Sequence, residues 1–251
     1  MPPPPPWAAV VPVKGGPLAK SRLGLPRAVR SALADAFARD TVEALLGGRP
    51  GMPVLVVTSA AEVAAWAASA GCRVVADPGE GLDAAVASGV VAAGALGAGR
   101  VAVILGDHPA LRPAEVVTAL DAVADLPRTV VPDAEGSGTA MLTLPAGAPV
   151  RTAFGPGSAR AHEALGHVLR TPRAPGLRLD VDDARSLAGA LRLGVGRHTA
   201  DVLGRATLPG VQATIHQAPS GDEDGSALLD DGLEVTVPAG AAAASGLRHL
   251  R

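Results

Sequence analysis

Of the 22 basic residues in the chain, only Lys14 and Lys20 are lysines, and both lie in one glycine-bearing stretch, Lys14-Gly15-Gly16-Pro17 through Lys20 and Arg22. That stretch follows the apolar run Ala8 to Val13 directly. Lysine is a compact, mobile point charge, whereas arginine is a planar fork. Backbone N–H groups and ammonium groups that converge after a strand form a cradle for phosphates; the plainer reading is a solvated turn that carries lysines. Asp107 also follows an apolar run, Arg100 to Leu105, in the context ILGDHPAL. A carboxylate placed there suits Mg²⁺ beside a phosphate. A helix cap is its other reading, but Pro109 and Pro113 put the helix start later. In Leu179-Asp180-Val181-Asp182-Asp183, alternation directs Asp180 and Asp182 to the same side of an extended segment. The aspartate nearer the following helix is explained as its N-cap, which leaves Asp180 as the second metal carboxylate. Paired carboxylates with phosphate-binding lysines are the equipment of in-line phosphoryl or nucleotidyl transfer.

Other groups are weaker signals. The loops Gly136-Ser137-Gly138-Thr139 and Gly155 to Ser158 offer small residues, hydroxyls and backbone donors suited to a carboxylate or phosphate, although each alone is an ordinary turn. His108 adjoins Asp107 and is within reach of a phosphate there. His162 and His167 fall on an expected helix, where packing explains them. No GxxxxGK[ST] loop and no Gly-x-Ser-x-Gly elbow occurs, which disfavours a P-loop nucleotidase and an α/β-hydrolase.

The elements that must position these groups alternate. Strands are expected at 8–13, 53–58, 73–76, 100–105, 128–131, 139–144 and 177–181. Helices are expected from Pro26 to about Leu46, from a Ser59 cap to about Ala70, at about 82–96, from Pro113 to about Ala124, over His162 to His167, and from an Asp182 or Asp183 cap through Leu191. The pattern implies a mostly parallel sheet. Ligands of such sheets bind at the carboxyl ends of the strands, where the lysine loop, the loop Asp77 to Gly81 and Asp107 all fall. Residues 1–6, with five consecutive prolines, read as an extended, poorly ordered lead. The main domain is expected at 7–199, and 200–251 as a small appendage, partly β or disordered.

Composition narrows the partners. Net charge is −2 and aromatics make up 2% of the chain, so neither a general attraction to nucleic acid nor stacking platforms for it are present. Cys72 is the single cysteine, which excludes an internal disulfide framework. The absence of a secretory signal pattern and of a long apolar span points to a cytoplasmic protein without a membrane partner.

Taken in order, VPVKGGPLAKSRL, ADPGEGLDAAV, VILGDHPAL, GSGTAML, FGPGSAR and LDVDD resemble the 2-phospholactate/phosphoenolpyruvate guanylyltransferase family of coenzyme F-420 biosynthesis, over residues 8–198. The resemblance implies a nucleotide-diphospho-sugar transferase fold, a Rossmann-like three-layer α/β/α arrangement with one antiparallel strand near an edge. It implies that GTP and a phosphorylated three-carbon acid give a guanosine diphosphate-linked acid and pyrophosphate, with Mg²⁺ as cofactor. By the same resemblance Lys14, Thr139, Gly155 and Ser158 hold the acid, Asp107 and Asp180 hold the metal, and Lys14, Asp107 and Asp180 are the catalytic set. Gly15, Lys20, Arg22, Asp77 and Asp83 are then assigned to the nucleotide. The family usually has Asn at the position of Asp83, and Asp can accept from guanine N1–H and N2–H₂ but cannot donate. The Ala- and Arg-rich, Lys-poor composition is that of a GC-rich bacterial genome, whose relatives generally use phosphoenolpyruvate. Expected partners are GTP, the acid and a downstream transferase that accepts the guanylylated product, with a homodimer as a further expectation. Alternatives are 2-phospholactate as acceptor, a molybdopterin guanylyltransferase (whose LAGG-type opening is here VPVKGG), and a GTP-binding module without turnover.

Overall fold

The computed structural model describes residues 6–15 and 20–205. The chain divides into two units, Met1–Gly204 and Arg205–Arg251. The strands expected after Ala200 and most of the proline-rich lead lie outside the described residues.

The strands are β1 (Trp7–Pro12), β2 (Val54–Thr58), β3 (Arg73–Ala76), β4 (Arg100–Ile104), β5 (Thr129–Pro132), β6 (Thr139–Pro145) and β7 (Val168–Leu169). They form one sheet in the order β3-β2-β1-β4-β6-β5-β7. All neighbours are parallel except at β6, which runs antiparallel to both β4 and β5, two strands in from the β7 edge. Every residue of β1, β2 and β4 is buried, as expected where helices cover both faces of a parallel sheet.

The helices are α1 (Arg27–Gly48), α2 (Ala61–Ser69), α3 (Leu82–Ala95), α4 (Pro113–Ala122), α5 (Ser158–Ala164), α6 (Pro175–Arg178), α7 (Ala184–Leu193) and α8 (Arg197–Arg205). Residues of α1, α2, α4 and α6 share a core with Ala9, Val11, Val54 and Val56 on one face of the sheet. On the other face α3 packs on Ala8, Val10, Leu55 and Val57. Three layers result, α/β/α. The core is built chiefly from Ala, Val and Leu, and α3 lies close on the sheet at its glycine. A Cβ added at Gly89 of α3 would meet Val57 Cγ2 at 2.9 Å and Val10 closer still.

Several expected elements differ. The segment 177–181 is not a strand: Pro175 opens the short helix α6, a position that suits its fixed φ, and Val181 N–H bonds instead to the Asp107 carbonyl, 2.9 Å. The N-cap of α2 is Ala60, not Ser59. The α5 helix starts at Ser158 and ends before His167. The strand β7 and the helices α6 and α8 were not expected. The α8 helix crosses the 199/200 boundary and starts where the buried Asp40 carboxylate of α1 accepts from His198 and Thr199 N–H, 3.0 and 2.9 Å.

Candidate active site

The carboxyl edge of the parallel strands carries an open cleft of about 1490 Å³, lined in part by Lys14, Gly15, Lys20, Arg22, Leu82, Asp107 and Asp182. Lys14 and Gly15 follow β1 and are exposed. Gly15 has φ +55°, and a Cβ there would stand 3.0 Å from Ala60 Cβ, so this turn requires glycine for both backbone and space. Arg22 lies on a 3₁₀ turn, Ser21–Leu23, and is exposed at the cleft.

Asp107 is carried by the loop after β4. Thr41 of α1 fixes that loop by accepting from His108 N–H, 3.1 Å, while Thr41 Oγ1 donates to the Phe37 carbonyl. The Val181 bond to the Asp107 carbonyl then stitches the second aspartate segment to the first. With Val181 buried, Asp180 and Asp182 flank it, and Asp107, Asp180 and Asp182 each offer a carboxylate oxygen within 4.8 Å of the others. Asp182 was assigned to capping in the sequence, but the cap of α7 is Asp183, which accepts from Ser186 N–H at 2.8 Å. That leaves Asp182 for the cluster.

Lys20 Nζ donates to Asp107 Oδ2 at 2.8 Å and to Asp182 Oδ1 at 2.6 Å. Among the described residues Lys20 is the one non-glycine with positive φ, +55°, and the ion pairs hold it in that conformation. Burial favours the neutral amine of Lys20, but the Asp107 and Asp182 carboxylates outweigh it and raise its pKa. Burial likewise favours protonated Asp107, but the Lys20 charge and its hydrogen bond hold the Asp107 carboxyl below the usual range. Asp180 lacks such a counter-charge: burial, then the charges of Asp107, Asp182 and Asp133, push it up to about 7.

Three carboxylates are hard oxygen donors suited to Mg²⁺. Asp107 Oδ1 is buried without a hydrogen-bond partner, so it keeps lone pairs for a cation. His108 is buried, with Nε2 3.6 Å from Asp107 Oδ1, beyond hydrogen-bond range, and burial lowers its pKa. Its ring is neutral, and the lowered pKa makes it a weak proton acceptor.

Thr139 begins β6, and the antiparallel register pairs Met141 with Ile104. The reversal of β6 therefore brings its first residue to the sheet edge where β4 ends. Thr139 Oγ1 lies 2.9 Å from Ser158 Oγ and 3.0 Å from His162 Nδ1. Ser158 is the first residue of α5, and Gly155, at φ +132°, opens its turn through a carbonyl that accepts from Ser158 N–H. His162, expected to serve packing, is buried, and its partners, Thr139 and Ala153, lie on other elements.

Of the two acidic residues assigned to the nucleotide, Asp77 accepts from Gly79 N–H at 2.9 Å, a turn-forming bond, and is not among the described residues lining the cleft. Asp83, in the first turn of α3, accepts from the Thr152 hydroxyl, which ties α3 to the loop before α5.

Residues 19–219 match the MobA-like NTP transferase domain family. Relatives named phosphoenolpyruvate guanylyltransferase match most of the chain. The one from Geodermatophilus obscurus is 46% identical over 81% of this chain and 96% of its own length. The one from Salinispora arenicola is 47% identical over 80% and 94%. A crystal structure from Desulfovibrio desulfuricans, given as a candidate nucleotide-diphospho-sugar transferase, covers 80% of this chain and 94% of its own with a TM-score of 0.60. At 16% identity it speaks for the fold alone. An edge that joins a lysine–carboxylate cluster to a hydroxyl pair, on this topology and with these relatives, is that of a nucleotidyltransferase, and the chain belongs to the phosphoenolpyruvate guanylyltransferase family within the MobA-like NTP transferases.

Proposed function

We propose that the protein joins GTP and phosphoenolpyruvate into enolpyruvoyl-2-diphospho-5′-guanosine with release of pyrophosphate, in coenzyme F-420 biosynthesis. The carrying observation is the identity of 46–47%, over four-fifths of the chain, to relatives of that name. In this reading a phosphate oxygen of phosphoenolpyruvate attacks the α-phosphorus of GTP. The new P–O bond forms as the bond to the bridging α,β-oxygen breaks, and the electron pair leaves with pyrophosphate. The attacking oxygen is already ionised at neutral pH, so no strong base is needed.

The residues work by positioning and charge neutralisation. Lys14, Thr139, Gly155 and Ser158 hold the acid. Lys20 and Arg22, with the backbone of Gly15, face the triphosphate, and Asp83 stands on the nucleotide side. Asp107, Asp180 and Asp182 would hold Mg²⁺, which supplies neutralisation of triphosphate charge when bound. The product suits a downstream transferase that accepts a guanylylated acid.

A matrix of acceptors against nucleotides, read by pyrophosphate release, tests the reading. Turnover is expected with GTP and phosphoenolpyruvate, weaker or none with 2-phospholactate, and little with ATP. Activity confined to a pterin phosphate acceptor would overturn it.

A further inference from the structure

The geometry points to His162 as a positioning residue for acid binding: its ring orients the Thr139–Ser158 hydroxyl pair so that one hydroxyl hydrogen is left for an anionic oxygen. This rests on the reading of Thr139 and Ser158 as holders of the phosphorylated acid.

His162 Nε2 accepts from Ala153 N–H at 2.9 Å, so that nitrogen carries a lone pair. Burial, then the neighbouring His167, lowers the ring pKa to about 4, so the ring is neutral at physiological pH. Its single N–H hydrogen therefore sits on Nδ1 and donates to Thr139 Oγ1, 3.0 Å away. Thr139 and Ser158 hold two hydroxyl hydrogens between them. One closes their mutual 2.9 Å bond, whichever oxygen donates. The other has no internal acceptor among these groups and is left for a ligand.

The opposite tautomer would reverse this. Nδ1 would then accept a hydroxyl hydrogen, the second would close the Thr139–Ser158 bond, and the pair would offer a carboxylate or phosphate only lone pairs. Ala153 N–H thus sets the polarity of a site it does not itself touch through a side chain. Phe154 and His167 confine the ring further, with edge-on contacts at 5.0 and 5.7 Å between centroids.

Two substitutions separate the two nitrogens. In the full chain, His162→Gln keeps an acceptor in reach of Ala153 N–H but loses the donor at the δ position. His162→Asn keeps a δ donor and loses the Ala153 contact. Pyrophosphate release is measured with phosphoenolpyruvate and GTP varied in turn, beside a melting curve. We expect His162→Gln to raise the KM for phosphoenolpyruvate about tenfold, with the KM for GTP within about twofold and little change in melting. His162→Asn should stay within about threefold of the parent for both KM values.

An unchanged acid KM in His162→Gln, or the reverse order of the two variants, overturns the proposal. If His162→Gln does not fold, His162→Asn carries the test, and a tenfold rise there overturns it. Thr139→Val distinguishes the underlying reading. If it leaves the acid KM unchanged, the acid does not bind at the hydroxyl pair. If it raises that KM while His162→Gln does not, only the role of His162 is lost.

Discussion

At the end of β4, Asp107, Asp180 and Asp182 crowd three carboxylates against one ammonium, whereas at the start of β6 Thr139, Ser158 and His162 form a network without a charged partner among themselves. The first region holds unbalanced charge. Lys20 settles two of its carboxylates, and the third, Asp180, keeps its proton to about pH 7. The second region holds the direction of its hydrogen bonds, set by a neutral imidazole. On the proposed function, a cation would be attracted to the one by net charge, while an anion would be sorted at the other by donors already aimed. The difference predicts that substitutions in the first act through charge and pH, and those in the second through substrate KM.

The largest effect should come from Asp107→Asn, with a fall in pyrophosphate release of at least ~10²-fold, a metal's share of charge stabilisation being several kcal/mol. The melting temperature should hold, and a turnover within tenfold of the parent would break the charge side of the comparison. Next is Lys20→Met. Turnover should drop by roughly tenfold or more through loss of a phosphate-facing charge. Mn²⁺ binding without nucleotide, followed by electron paramagnetic resonance, should tighten because no ammonium competes for Asp107 and Asp182. Weaker binding would show that Lys20 organises the site instead.

Asp180 supplies a pH test. Its folded pKa of about 7 lies above the ordinary 3.8, so between these values the folded state binds more protons and stability falls as pH rises. The penalty is complete above about pH 7 and absent below about pH 3.8. Asp180→Asn should therefore raise the melting temperature of the metal-free protein at pH 8 and have little effect near pH 4. A gain independent of pH would remove the repulsion argument.

How much of this was readable from the sequence follows the same division. Lys14, Lys20 and Asp107 each stand directly after a buried apolar strand or in the loop it feeds, so local pattern placed them at the sheet edge. Asp180 came from alternation within five residues. The cap of α7 was open between Asp182 and Asp183, which read alike until Ser186 N–H chooses Asp183. The strand expected at 177–181 had the right alternation, but a strand needs a partner, and this segment bonds to the Asp107 loop instead. The α8 helix was illegible because Asp40, which caps it, lies 158 positions from His198. His162 was illegible for the same reason, since a tautomer depends on partners that only folding assembles.

Two smaller effects sharpen the picture. Asp183→Ala should cost about 1 kcal/mol of stability as a lost N-cap, with turnover per folded molecule unchanged. Loss of activity there would move the cation site one residue on. Asp83→Asn should change GTP turnover by no more than about twofold, because an amide oxygen still accepts from Thr152. A shift in the ratio of GTP to ATP use would place this carboxylate against the base.

Gly89 makes the gap between α3 and the sheet a quantity written at a single codon. Six residues further up the same rod stands Asp83, about 9 Å away at the helical rise, and Leu82 beside it lines the cleft. A methyl group at position 89 would meet Val10 and Val57 and lift the rod from the sheet. Because a helix moves as a lever more readily than it bends, the displacement would appear at the mouth. The width of the cleft on that side can thus drift between lineages through a residue that meets no substrate.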